Sequence, residues 1–436
     1  MTLEKCSGFD DDFGYVSPEA PTQTGLFAPA LLDQVRSRFS HLESDPVAGR
    51  RIYLESAGGS LTLTSAVKRA SEIAARPDNA GRDNAASREL ESIMARGRED
   101  VALFLGARSG QIISGESSSA NVFRIVEAML QDRKEGNVVT TLLEHPCTYG
   151  ATKFCARRFG LEWRVASIAP RTGELTPESV SDLVDQDTAA IVFIHASNVI
   201  GTRVDARAVV DQVRRRNPKT LILLDGTQHA PHGPIDVEAL GVDAYCFAPY
   251  KTFSVPGTCF AWLSDRMVQL DHPRLDGTPL NQWELGTRDP SGFAAWSEVK
   301  DYLCWLGSTV DPNSTDRRTQ VIIAMTAIER HESALTKHML DGLASIPGLR
   351  LYGFPEADER RESVFAVVMD RTPASELVSA LSQRTIFVHD RKHDVYSGHV
   401  LKAIEAPDCV RISLAHYNTT NEIDALIAAL VELDRS

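Results

Sequence analysis

The order of apolar runs predicts an α/β protein, with a mainly parallel sheet covered on both faces and a smaller α+β lobe at the C-terminal end. Three observations carry this expectation. From Ile52 onward, short apolar runs alternate with amphipathic helical stretches, the mark of strand-helix-strand crossovers. A polar stretch, Thr309 to Asp316, breaks the alternation. Beyond it the order becomes helix, strand, helix, strand, strand, helix.

Taken in order, residues 1–50 are polar and mixed, an N-terminal arm with one helical stretch near Leu31 to Phe39. Residues 51–310 form the expected large domain. Its strands are read at Gln111 to Ser114, Val138 to Leu143, Trp163 to Ile168, Ala189 to Ile194, Leu221 to Leu224 and Ala244 to Phe247. Residues 311–436 form the expected small domain. A long helix runs through Thr326, followed by a strand at Val364 to Val368 and a helix at Ala374 to Leu381. Strands at Ile386 to Val388 and Val410 to Leu414 precede a closing helix from Glu422. No repeat of fixed period and no low-complexity tract interrupts this order.

Composition narrows the class of function. The chain has 436 residues, 43% of them hydrophobic, enough for a large core. A net charge of -13 argues against nucleic acid and anionic membrane surfaces as partners, leaving small molecules and other copies of the chain. The seven cysteines, Cys6, Cys147, Cys155, Cys246, Cys259, Cys304 and Cys409, are scattered without a C-x-x-C pair. They read as reduced thiols of a cytoplasmic protein, and no metal-ligand set is assigned. No apolar run approaches the ~18 residues needed to span a bilayer, and Met1 to Lys5 does not open a signal peptide.

The chemistry is concentrated at strand ends. Asp225 closes the apolar run Leu221 to Leu224, and Lys251 follows the run Ala244 to Ala248 through Pro249-Tyr250. An acid at the end of a buried strand can keep a ring nitrogen protonated, while a lysine in an apolar wall has a lowered pKa and can form an imine with an aldehyde. Taken singly, Asp-Gly is a common turn opening and most lysines are solvated charges. Together, in this setting, they describe a seat for pyridoxal phosphate, PLP.

Other residues fall where such a seat needs them. The turn Gly115-Glu116-Ser117-Ser118-Ser119-Ala120-Asn121 opens a helix, Val122 to Leu130, and could aim N–H groups and hydroxyls at a phosphate, or be a plain serine cap. His145 follows a strand in Leu143-Glu144-His145-Pro146 and could lie on a cofactor ring or be a structural histidine. Asn198, also past a strand, could bond a phenolic oxygen or stabilise a turn.

The ordered set Glu144-His145, Ser197-Asn198-Val199-Ile200-Gly201-Thr202, Asp225-x-x-Gln228, Lys251, Gly286-Thr287 and Arg411-Ile412-Ser413-Leu414 resembles the class V aminotransferase-fold enzymes. These are fold type I PLP enzymes, including cysteine desulfurases and isopenicillin N epimerases, and the likeness runs from about Arg51 to the C-terminal end. It is nearest to the desulfurase-like branch, with Gly286-Thr287-Arg288-Asp289-Pro290-Ser291 resembling the epimerase-like members. The resemblance implies a mainly parallel, seven-stranded sheet in the large domain and a homodimer. It implies that Lys251 forms the imine, Asp225 pairs the pyridinium nitrogen and His145 stacks on the ring. Gln228 and Asn198 would bond the phenolic oxygen. Ser117, the Glu116 backbone and Tyr250 would hold the phosphate, with Thr287 contributed across the dimer interface. Arg411 would clamp the substrate α-carboxylate, with Asn198 beside it.

The implied reaction proceeds at the α-carbon of an amino acid through an external aldimine and a quinonoid. Persulfide-forming desulfurases place a nucleophilic cysteine shortly before the carboxylate arginine, but residues 384–406 contain none. The expectation is therefore a desulfurase-like lyase, by β-elimination or C–S cleavage without that thiol, with an aminotransferase or epimerase as the alternative. The charged loop His389 to His393 is expected to face the substrate or to be solvated. Two other classes fit less well. A nucleotide-dependent enzyme lacks both G-x-G-x-x-G and G-x-x-x-x-G-K-[ST] here, and a non-catalytic binding module predicts loss of Lys251 or Asp225.

Overall fold

The computed structural model describes residues 25–76 and 79–435; Cys6 and residues 1–24 of the expected arm lie outside them. Seven strands form the large sheet: β1 (Gln111–Gly115), β2 (Asn137–Thr141), β3 (Glu162–Ala166), β4 (Thr188–Ile194), β5 (Leu221–Asp225), β6 (Ala244–Phe247) and β7 (Cys259–Leu263). Their order is β1-β7-β6-β5-β4-β2-β3. β7 is antiparallel to both β1 and β6, while the remaining pairings are parallel, so six strands share one direction.

Alternation along the strands builds two cores. Val138, Val192, Leu223, Ala244 and Cys246 face one apolar cluster, while Val139, Ile191, Phe193, Leu224 and Tyr245 face the other. Helices cover both faces, which is why the strands read as continuous apolar runs. The strand read to Leu143 stops at Thr141 because the Thr141 hydroxyl accepts the Leu143 N–H at 3.1 Å, turning the chain out of the ladder. The helix read from Val122 begins one turn earlier, over Ser118–Leu130, because the Ser117 hydroxyl caps the Ala120 N–H at 3.2 Å.

The first helix spans Pro29–Arg36 rather than Leu31 to Phe39, since Pro29 pre-sets its first turn. Phe27, Leu31, Val35 and Phe39 are buried, so this part of the expected arm packs into the core. The helix after the polar stretch runs much further than Thr326, over Arg317–Ala344, with the Asp316 carboxylate accepting from the Thr319 N–H at its start.

A second sheet is formed by β8 (Leu349–Tyr352), β9 (Val364–Met369), β10 (His389–Arg391) and β11 (Cys409–Ser413), in the antiparallel order β8-β9-β11-β10. Two corrections follow. The segment beginning at His389 is not wholly a loop, because His389–Arg391 pairs with β11 at the sheet edge. The strand read at Ile386 to Val388 is only Ile386–Phe387, paired parallel with Ile52–Tyr53. Leu54 accordingly packs in the apolar cluster of Phe365, Ile412 and Leu426.

Gly201 joins the two sheets. Its φ is +75°, and a Cβ there would stand 2.4 Å from the Val364 carbonyl oxygen. Gly201→Ala is expected to destabilise the fold by about 2–4 kcal/mol, from left-handed backbone strain and overpacking. A urea-unfolding midpoint unchanged from wild type would show that this junction yields easily.

Candidate active site

The parallel strands end on one edge of the large sheet, where ligands of such folds bind. The turns after β1, β2, β4, β5 and β6 enclose a cavity of about 100 Å³. Ser117, His145 and Asn198 line it, as do Asp225, Gln228, Tyr250 and Lys251, so seven of the predicted positions meet in one place.

Asp225 is set by register, opposite Ile194 of β4 and Cys246 of β6, and is 4% exposed. Its Oδ1 accepts the Thr227 N–H at 3.0 Å, which fixes the orientation of the carboxylate. Lys251 ends a single turn, Pro249–Lys251, that follows β6. Burial lowers the pKa of its amine to about 8, helped by the charges of Arg411 and Arg391 and opposed by Asp225.

His145 caps the helix Pro146–Phe159, with Nδ1 accepting the Cys147 N–H at 3.2 Å. Burial, with Lys251 nearby, depresses its pKa to about 3. It is neutral, and because Nδ1 is the acceptor its proton sits on Nε2. Glu144, fully buried, accepts from the Thr141 hydroxyl at 2.6 Å and the Ile194 N–H at 3.2 Å, and burial raises its carboxyl to about 8.

Three predicted residues stand apart from the cavity wall. Glu116 is exposed and pairs with Arg288 at 3.5 Å. Thr287 is exposed in its own chain. Arg411, 0% exposed, donates from Nη1 to the Asn198 carbonyl at 3.0 Å, so it is tied to the cavity through that residue. Burial, with Arg391 close by, lowers its pKa to about 9.

The cavity also holds Cys147, which strand-end reasoning did not single out, and the rest of the expected serine turn. Cys147 bonds to Asp225 Oδ2 at 3.7 Å and approaches His145 Nδ1 at 3.0 Å. Burial pushes its thiol well above the ordinary value, and the Asp225 charge adds to this. Ser118, Ser119 and Thr227 complete the polar wall, with the Ser118 and Thr227 hydroxyls 3.3 Å apart. Next to this wall, His399 Nε2 meets the Glu144 carbonyl at 2.8 Å and its ring stacks on Tyr149. Its place on a separate helix gave no local signal.

Orphaned polar atoms define what the site fits. Among the described residues, both amide atoms of Gln228, Oδ1 of Asn198, and Nε and Nη2 of Arg411 are buried without a hydrogen-bond partner. Such atoms cost stability unless a ligand satisfies them. A polar ring with a phenolic oxygen and an attached anion answers this set, and the serine turn offers hydroxyls and free N–H groups to a phosphate.

The profile of the family described as aminotransferase class-V matches residues 52–299 and 317–426. The chain belongs to the class-V aminotransferase family. It is a PLP-dependent enzyme of that family, in its cysteine desulfurase-like part. Among the relatives of this class-V enzyme, a cysteine desulfurase of Klebsiella pneumoniae is 26% identical over 426 residues, covering 92% of this chain and 97% of the relative. Probable cysteine desulfurase 2 of Mycobacterium leprae is 27% identical over 350 residues, covering 79% and 81%. The solved structure of the Escherichia coli cysteine desulfurase CsdA superposes with a TM-score of 0.76 at 20% identity, covering 94% of this chain and 99% of that one. The apo cysteine desulfurase of Thermococcus onnurineus gives 0.76 at 19%, covering 88% and 95%. These likenesses show the shared fold, the fold type I architecture expected from the sequence.

Proposed function

We propose that this enzyme is a desulfurase-like lyase that cleaves the bond to a β-substituent, such as Cβ–S, of an amino acid without a persulfide cysteine. The observation that carries the reading is the meeting of a buried, pKa-lowered Lys251 with Asp225 and neutral His145 around one cavity. PLP, when bound, supplies the sink for the electron pair left at Cα.

The chain's residues divide the remaining work. The Asp225 carboxylate would pair with the ring nitrogen and favour its protonated form. Lys251, its amine pKa lowered to about 8, would attach the cofactor and then take the α-proton. Gln228, through its amide N–H, would bond the phenolic oxygen with Asn198 beside it, and the Ser117 turn with Tyr250 would hold the phosphate. Arg411 offers Nε and Nη2 to the α-carboxylate. Exposed Thr287 is suited to reach the site of a second subunit, in a homodimer of a cytoplasmic protein. Among the described residues, no helix is long and apolar enough to cross a membrane.

The thiols support elimination over persulfide transfer. Cys409 is buried in β11 with its pKa pushed up to about 12, and Cys147, the cysteine lining the cavity among the described residues, is held protonated by burial. Neither presents a thiolate at neutral pH. Pyruvate, ammonia and sulfide from L-cysteine would bear out elimination. A keto acid with pyridoxamine phosphate would replace it by transamination, and deuterium uptake at Cα without consumption would replace it by epimerisation.

The amine pKa sets a pH dependence. Only the neutral amine attacks an aldehyde, so capture of PLP by the cofactor-free enzyme is expected to rise about tenfold per pH unit below the pKa. It should level off above about pH 8. Stopped-flow rates that kept climbing towards pH ~10, as for an exposed lysine, would contradict this placement.

A further inference from the structure

Alternation along β11 decides which way its charges face. Val410 and Ile412 enter the apolar cluster with Leu335, Leu426 and Leu430, so Cys409 and Arg411 project from the opposite face. β10 pairs antiparallel to it, with His389 opposite Arg411 and Arg391 opposite Cys409. Directly paired residues share a face, which puts Arg391 on the same side as Arg411 and two pairs along the ladder.

The two guanidiniums are short of anions. Among the described residues, Arg411 has Nε and Nη2 buried without a hydrogen-bond partner, and Arg391 has Nε in the same condition. The acids set against them are Glu55, whose Oε1 is 3.9 Å from Arg411 Nη2 and whose side chain is one-third exposed, and Asp394, whose charge bears on Arg391 while its Oδ1 accepts the Tyr396 and Ser397 N–H groups. Asp390 points away along the strand and is held by Lys392 at 2.8 Å. The charges of both arginines also bear on Lys251 and His145, so both lie within electrostatic reach of the cavity. An amino acid with a neutral side chain brings one carboxylate to this pair. One arginine is then left with a buried donor unmet.

We propose that Arg391 sets the substrate class: an α-amino acid whose side chain carries a second anionic group, bound by Arg391 while Arg411 holds the α-carboxylate. The inference rests on the reading of Arg411 given under Proposed function. Sequence reading pointed to this charged segment without a direction for its side chains, and the strand pairing supplies one.

The test compares near-isosteric acids and amides on the PLP-loaded full chain. L-aspartate against L-asparagine, and L-glutamate against L-glutamine, are titrated by the visible spectrum and independently by calorimetry. At least one acid is expected to bind about tenfold or more tighter than its amide, as befits a charge-assisted pair. R391Q should erase that preference, R391K should keep part of it, and E55Q should widen it by removing the competing carboxylate. R411Q should weaken acid and amide alike. Equal binding of acid and amide, or a preference surviving in R391Q, would overturn the proposal alone. Wild-type enzyme that binds none of the four, or R411Q that binds them as wild type does, would overturn the Arg411 reading as well.

Discussion

Lys251→Ala is expected to lower kcat by at least about 10³-fold and to remove the visible band of the lysine-bound cofactor, since positioned proton transfer alone contributes roughly 10²–10⁴. The side chain is 7% exposed, and burial that lowers its pKa to about 8 means that its charge costs the fold stability rather than supplying it. Its removal should therefore leave thermal unfolding close to wild type, separating loss of chemistry from loss of fold. Lys251→Arg sharpens the test. Arginine keeps a cation of similar reach but stays protonated, so it can neither attach the aldehyde nor accept the α-proton. Either variant retaining a tenth or more of wild-type kcat would remove Lys251 from the reaction.

Asp225→Asn is the second large expected effect, about 10²–10³ in kcat, the size seen when one preorganised electrostatic partner is taken from a reacting group. The substitution is conservative in shape. An amide oxygen can still accept the Thr227 N–H, which Oδ1 now receives at 3.0 Å, so the turn after β5 should persist. What disappears is the negative charge that keeps the ring nitrogen protonated. The expected signature is a fall in kcat with a smaller change in cofactor affinity, read by steady-state kinetics and PLP titration. A variant with unchanged kcat would mean that the ring works unprotonated here, or that another acid serves it.

The sequence revealed the parts of this fold that depend on burial alone. β4 and β5 are covered on both sides, so Ala189 to Ile194 and Leu221 to Leu224 appear as unbroken apolar runs. Lys251, Asp225 and His145 were legible because each directly follows such a run. β7 was not read as a strand, because Pro256 and Gly257 just before it suggest a turn while its antiparallel pairing is a tertiary fact. β10 was hidden for a different reason: at the sheet edge, His389-Asp390-Arg391 has the charge of a solvated loop, and only its partner strand gives it direction. Cys147 and Arg391 reach the site region through a helix's first turn and a strand's pleat. Neither is visible as chemistry in a list of residue types.

The most direct measurement of the central claim is borohydride reduction of PLP-loaded enzyme, followed by peptide mass analysis. The account predicts a stable phosphopyridoxyl adduct on the peptide bearing Lys251, absent from Lys251→Ala. No adduct, or an adduct on any other lysine, would contradict it.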